Sequence, residues 1–196
     1  MRLDRSTILI RDAQLSDIPV LSVLLVDSFN PELEEGIGRW FQPLLRLSIQ
    51  TDLQQRFRMH HHQTKQYCCI VAVCSQPLGQ ADTGERIIGT VEMSQKYHYV
   101  WPAAPQCYPY IANLAVQSRY RRQGIAASLL RACEAVAIQW GFSNLQLHVR
   151  EDNQAARHLY EQEGYRIQRV DFNLGTLIWQ QPRTLLLCKQ LRIERA

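Results

Sequence analysis

Cysteine pairing motifs are missing from this sequence. Its six cysteines, Cys68, Cys69, Cys74, Cys107, Cys133 and Cys188, form no CxxC pair, and most sit within apolar runs, where a free thiol packs as a small hydrophobe. That points away from a disulfide framework and towards reduced thiols in an intracellular, cytoplasm-like compartment. No apolar run approaches the roughly 20 residues that a membrane-spanning helix needs, so no membrane partner is expected. The opening stretch MRLDRSTILIRD lacks the apolar segment of a secretory signal. There is no long basic run with interleaved aromatics, so nucleic acid is not an expected partner. Repeats and low-complexity segments are absent too. What remains is a chain of 196 residues, 46% hydrophobic and 20% charged. It is long enough to bury a core unaided and suited to a single domain, 1–196. Lys and Arg number 22 against 18 acids, a formal charge of +4 that suits an anionic ligand.

Periodicity places the elements. Thr7 to Arg11 is β-branched and strand-like. Ser16 or Asp17 is placed to cap a helix through PVLSVLLVDSF, with Pro19 tolerated in its first turn. Glu32 to Met59 reads as one or two helices, with breaks expected at Gly36, Gly38 and Pro43. Strands follow at Tyr67–Ser75, Arg86–Met93 and Tyr108–Val116. Between the last two, a loop carrying Tyr97, Tyr99 and Trp101 either lines a cleft or packs itself down. Ile125 to Trp140 repeats apolar residues at helical spacing and stops at Gly141. A strand at Leu145–Val149, a helix at Asn153–Gln162, and strands at Tyr165–Val170 and Thr184–Lys189 complete an α+β fold, a mixed sheet covered by helices.

The chemistry concentrates between Tyr110 and Tyr165. In YRRQGIA, residues 120 to 126, a turn opens a helix. Such a junction presents unpaired N–H groups and a positive dipole end, and can hold a phosphate. Gly124 has no Cβ to obstruct the approach, Ala126 stays small, and Arg121 and Arg122 add charge. By itself the turn is equally readable as an ordinary glycine-containing helix start.

In context the segment resembles the GCN5-related N-acetyltransferase (GNAT) superfamily. The cofactor signature Q/R-x-x-G-x-G/A is matched by Arg121, Gly124 and Ala126, and N-x-x-A-x-x-x-Y followed by a Gly-aromatic pair by Asn153, Ala156, Tyr160, Gly164 and Tyr165, with one position loose. The motif-bearing core covers about residues 86–170. The resemblance implies a mostly antiparallel, twisted sheet of about seven strands, flanked by helices and splayed at the cofactor strand. It implies acetyl-CoA as cosubstrate and no metal. The backbone of Leu114, Ala115 and Val116 would meet the pantetheine arm. The amides of Arg122, Gln123, Gly124, Ile125, Ala126 and Ala127 would hold the pyrophosphate. Asn153 would hydrogen-bond the cofactor, and Tyr160 would assist the departing thiolate by hydrogen bonding.

Acetyl transfer needs a neutral amine. An α-amine has pKa about 8 and a lysine about 10.4, a difference of roughly 3 kcal/mol in deprotonation. His148, in LQLHV, is the first candidate base. Tyr110 is the second, and Glu92 a third, more readily taken as a solvated carboxylate. YIANLAV, YRRQGIA and LHVREDN together are similar to protein N-terminal acetyltransferases, including the ribosomal-protein alanine type. The length and the tail RTLLLCKQL resemble plastid and cyanobacterial enzymes that modify N-termini and lysines. The expected partners are therefore acetyl-CoA and protein or peptide substrates, for a monomer or homodimer. A loop with Trp179 and Pro182 is expected beside the acceptor site. The run His60–His61–His62 is not a metal site, because neighbours on a helix diverge by about 100°. Two competing readings are an acetyltransferase for a small amine, which needs a closed acidic pocket, and a non-catalytic acyl-CoA sensor.

Overall fold

The computed structural model describes residues 8–29, 38–61, 66–74, 85–98, 104–171 and 182–192. Among the described residues, seven strands and four α-helices follow in order: β1 (Ile8–Asp12), α1 (Ile18–Phe29), α2 (Gly38–His61), β2 (Tyr67–Cys74), β3 (Arg86–His98), β4 (Gln106–Val116), α3 (Ile125–Gln139), β5 (Asn144–Arg150), α4 (Gln154–Gln162), β6 (Arg166–Asp171) and β7 (Thr184–Gln190). The strands hydrogen-bond in the order β1-β2-β3-β4-β5-β7-β6. The β4–α3–β5 crossover makes β4 and β5 parallel, while β1–β2, β5–β7 and β6–β7 are antiparallel. This is the mixed, mostly antiparallel sheet expected from the sequence. Contacts divide the chain into two compact units, Met1–Glu92 with Asn113–Leu129, and Met93–Ala112 with Leu130–Ala196.

In the first unit, α1 buries Ile18, Leu21, Leu24 and Leu25 in a cluster with Leu53 of α2, Val71 and Val73 of β2, and Ile87 of β3. Asp17 does not cap the helix at its own position. A short 3-10 turn, Leu15–Asp17, precedes α1, and the Asp17 carboxylate reaches back to accept from the Gln14 amide at 2.8 Å and from Arg11 Nη1 at 2.7 Å. The break expected at Pro43 is absent, since α2 runs through it. The inward stripe of Leu45, Ile49, Leu53 and Phe57, at helical spacing, outweighs the one backbone hydrogen bond that a proline removes. Gly38 is the first described residue of this helix. Gly36 lies outside the described residues.

The second unit corrects the loop after β3. That strand extends five residues beyond Met93, to His98, and β4 starts two residues earlier than expected, at Gln106. His98 packs edge-on against Tyr108, and Lys96 sits over the Tyr110 ring, so cross-strand pairs carry the hairpin outward. Tyr97 therefore belongs to β3, half-exposed, while Tyr99, Trp101 and Trp179 lie outside the described residues. The β6–β7 ladder holds one irregularity. Ile167 pairs with Leu187 and Arg169 with Leu186, which leaves one extra residue in β6.

Gly89 sets a tight approach within the first unit. A Cβ there would lie 3.1 Å from the Ala115 carbonyl oxygen, 3.2 Å from Leu129 Cδ1 and 3.3 Å from Ile125 Cγ2. The missing side chain lets β3 seat the end of β4 and the first turns of α3. Replacing Gly89 with valine is expected to lower the unfolding free energy by about 1–3 kcal/mol through overpacking. Urea unfolding of the variant beside the parent protein measures this.

Candidate functional site

The end of β4 is pinned before the chain turns. The Gln117 amide donates to the Ile88 carbonyl at 2.9 Å, and Gln117 Nε2 donates to the Ile87 carbonyl at 2.8 Å. A 3-10 turn, Ser118–Tyr120, follows. Arg121 Nε then donates to the Val116 carbonyl at 3.0 Å, so one of the two arginines ties the turn to the strand it leaves. Arg122 and Gly124 both take left-handed backbone, φ 62° and 84°. Alternation of left-handed and ordinary residues turns successive N–H groups into one concavity, an arrangement that binds anions. The first bond of α3 runs from the Ser128 amide to the Gly124 carbonyl at 3.0 Å. The amides of Ile125, Ala126 and Ala127 precede it and have no partner within the helix. Ile125 and Ala127 turn inward, at 2% and 9% exposure, so the helix is anchored while Arg122 stays exposed. A phosphate suits this concavity.

Before that turn, β4 leaves its ladder. Its pairs with β5 are Tyr110↔Gln146 and Ile111↔Leu147, and the strand continues five residues more, to Val116. Asn113, in this continuation, is left-handed at φ 52°. Leu114 is half-buried, whereas Ala115 and Val116 are buried.

In the second unit, Tyr110 and His148 meet, although 38 residues separate them. Residue 148 lies two along β5 from the partner of Tyr110, hence on the same face. The Tyr110 hydroxyl lies 3.0 Å from His148 Nδ1, and His148 Nε2 lies 2.9 Å from Asp171 Oδ2. Arg169 Nε donates to the other Asp171 oxygen at 2.6 Å. This hydrogen bond, and the weaker one from His148, hold the Asp171 carboxyl below the usual range against the opposing effect of desolvation. An ionised Asp171 can only accept, so it selects the Nε2–H tautomer and leaves the Nδ1 lone pair for the phenol of Tyr110. Burial, assisted by Tyr108, raises the Tyr110 pKa, and a hydrogen bond with the His148 backbone partly offsets that rise. Lys96 Nζ stands 3.3 Å from the Tyr110 ring centroid. Asp171 was not foreseen from the sequence; its only signal was an acid at the end of a closing strand.

Two further expected residues lie on and before α4. Asn153 is its cap, with Oδ1 accepting from the Ala156 amide at 3.1 Å. Tyr160 is 7% exposed and packs edge-on against Tyr165 at 5.8 Å. Burial first, and Tyr110 second, push its pKa up to about 12, so its hydroxyl is a proton donor at neutral pH.

Glu92 is not solvated. It is 2% exposed, accepting from Arg56 Nη1 at 2.7 Å and from the Tyr67 hydroxyl at 2.9 Å on one oxygen, and from Asn113 Nδ2 at 2.7 Å on the other. The apolar sequence around it, IIGTVEM, gave no hint of three polar partners arriving from β2, α2 and β4. Among the histidines of the triple run, His60 and His61 end α2, and His62 lies outside the described residues. Among the described residues no group of three His, Cys, Asp or Glu side chains is placed to hold a metal ion, and no helix is long and apolar enough to cross a membrane.

Comparison with known proteins matches residues 35–165 to the acetyltransferase (GNAT) family. GCN5-related N-acetyltransferase 10, chloroplastic, of Arabidopsis thaliana is 29% identical over 141 residues, which span 68% of this chain and 53% of that protein. The match thus spans about half the length of that curated relative. Among solved structures, a chain of the NatC complex bound to Gag peptide and CoA superposes with a TM-score of 0.60 at 17% identity, covering 95% of this chain and 99% of that one. A spermidine N-acetyltransferase SpeG chimera from Vibrio cholerae and hSSAT gives 0.62 at 15%, covering 94% and 96%. At these identities the likeness is one of fold.

The Asn153 cap is separable from any contact with a ligand. Asn153→Ala is expected to lower stability by about 1 kcal/mol, and Asn153→Asp, which still accepts from the Ala156 amide, to change it by only a few tenths. Thermal unfolding of the two variants without ligand tests the pair.

Proposed function

This chain belongs to the acetyltransferase (GNAT) family, and on that premise we propose that it transfers acetyl from acetyl-CoA to protein N-terminal α-amines, with lysine ε-amines as a second class of acceptor. The observation that carries this reading is the chain of hydrogen bonds from Tyr110 through His148 to Asp171. It supplies what an ammonium acceptor needs, a route for its proton. The left-handed Arg122 and Gly124 and the free amides after them fit the phosphates of the cosubstrate.

Acetyl-CoA, when bound, supplies an acetyl thioester whose C–S bond breaks as the new N–C bond forms. Around it the chain's own groups act. The amides from Arg122 to Ala127 hold the pyrophosphate, and Arg121 keeps the turn fixed to Val116. The backbone of Leu114, Ala115 and Val116, beyond the β4–β5 ladder, meets the pantetheine arm, and a strand amide takes the developing oxyanion. Asn153 faces the cosubstrate through its NH2, because its oxygen is committed to the Ala156 amide. Tyr110 takes the amine proton, directly or through one water, while passing its own to His148 Nδ1. Asp171 stabilises the imidazolium that results, an arrangement in which a carboxylate holds a base in its working tautomer. Tyr160 donates a hydrogen bond to the departing sulfur. With its pKa near 12 against about 8.5 for a thiol, it stabilises the thiolate without giving up the proton.

The charge beside the relay favours a peptide amine over a polyamine. Lys96 and Arg169 are cations, and the carboxylate among them, Asp171, is already shared between Arg169 and His148. A polycationic acceptor would meet repulsion there. The chloroplast relative suits a plastid or cyanobacterial setting.

The test is acetylation of a peptide library read by mass spectrometry, with free N-termini, N-terminally blocked lysine peptides and small polyamines as competing acceptors. Free N-termini are expected to react best, and acetylation of polyamines alone would overturn the reading. His148→Ala is expected to reduce kcat/KM by about 10²- to 10⁴-fold, the usual worth of a positioned base. Tyr160→Phe is expected to reduce kcat with the affinity for acetyl-CoA unchanged. Gly124→Glu is expected to abolish calorimetric binding of acetyl-CoA, since it places bulk and negative charge in a left-handed phosphate turn.

A further inference from the structure

Glu92 is a buried carboxylate for which the proposed reaction has no use. It is 2% exposed, and both its oxygens are engaged by donors, so it offers no open face to an acceptor amine. A carboxylate is rarely kept in such a place unless its partners need it. Two of those partners hold it still. Arg56 comes from α2 and is itself braced by Asp52 one turn earlier. Tyr67 comes from β2, is 7% exposed, and has its pKa pushed well up by burial and by Glu92 itself, so its hydroxyl is a constant donor. The third partner is the informative one. Asn113 Nδ2 donates to Glu92 Oε1 at 2.7 Å, and Asn113 is one of two non-glycine residues with positive φ among the described residues. The left-handed conformation is uncommon for any residue with a Cβ, and Asn tolerates it best when its side chain is hydrogen-bonded. It falls after the last β4–β5 pair and immediately before Leu114.

We infer that Glu92 is a positioning residue. Fixed by Arg56 and Tyr67, it locks Asn113 in the left-handed conformation and thereby aims the backbone of Leu114 to Val116 at acetyl-CoA. The inference rests on the acetyl-CoA reading above. It assigns a function to a polar cluster spanning α2, β2, β3 and β4, and it excludes Glu92 as the base.

Glycine separates the geometry from the interaction, because it adopts positive φ without help. The experiment measures CoA binding by calorimetry and KM for acetyl-CoA as a function of pH in Asn113→Ala, Asn113→Gly, Glu92→Gln and the double variant Glu92→Gln with Asn113→Gly. Asn113→Ala is expected to weaken CoA binding and raise KM about tenfold, with the shape of the pH profile unchanged. Asn113→Gly is expected to remain within about twofold of the parent, and Glu92→Gln to lose its effect on KM once Gly stands at 113. Equal CoA affinity in Asn113→Ala and the parent would overturn the inference, as would loss of one limb of the pH profile in Glu92→Gln at unchanged KM, which would make Glu92 the base. If Glu92→Gln fails to fold, the comparison of alanine with glycine at 113 decides alone. A parent protein that binds no CoA would overturn the acetyl-CoA reading itself, and the inference with it.

Discussion

A β-strand in mid-sheet must part from one neighbour, bend and hand over to a helix; much of the first unit is arranged around that constraint on β4. The ladder to β5 covers Tyr110 and Ile111, the backbone turns left-handed at Asn113, and it does so again at Arg122 and Gly124 before α3 begins. Left-handed backbone at a non-glycine residue costs of order 1 kcal/mol or more, and persists only where its surroundings over-determine it. Here they do. Glu92 grips Asn113, Gln117 ties the strand end to Ile87 and Ile88, Arg121 ties the turn to Val116, and the bare Cα of Gly89 lets these pieces approach. Strain in the backbone is thus matched by side-chain hydrogen bonds drawn from distant parts of the chain.

A second arrangement, within the other unit, works by charge. Tyr110, His148 and Asp171 form one line of hydrogen bonds with Arg169 at its far end and Lys96 beside its near end. Tyr160 is the opposite case, a phenol whose proton is retained chiefly by burial and secondarily by its neighbour Tyr110. The two tyrosines therefore suit different tasks, one relaying a proton and the other keeping it.

How much of this was legible in the sequence differed by kind. Local signals held: the helix expected over Asn153–Gln162 runs over Gln154–Gln162 with Asn153 as its cap, and the glycine turn before α3 and the apolar spacing of α3 rest on interactions within a few residues and lie where expected. Boundaries set by cross-strand packing did not. Nothing in QKYHYV says that His98 will find Tyr108 or Lys96 the Tyr110 ring, so β3 read five residues short. Pro43 was given a local rule that a long, partly buried stripe overrode. Glu92 depends on partners 21 to 36 residues away, and Asp171 meets His148 across 23, and no spacing rule reaches that far. His148 and Tyr110 could be singled out because each titrates usefully and lies beside a motif, whereas their hydrogen bond is a fact of the parallel register of β4 and β5.

The extra residue in β6 has a consequence for how such an acid comes and goes in evolution. His148 pairs across β7 with Leu186, and Leu186 with Arg169, so residues 169 and 171 share the face of His148 because the strand holds one residue more than its partner. Were the same residues paired regularly from Arg166 onward, the alternation would reverse beyond Ile167, and Asp171 would look away while Val170 took its place. The third member of the relay is thus set by the way a strand pairs as much as by a letter. A relative could keep the aspartate and lose the contact by pairing this stretch without the bulge, with no substitution at all.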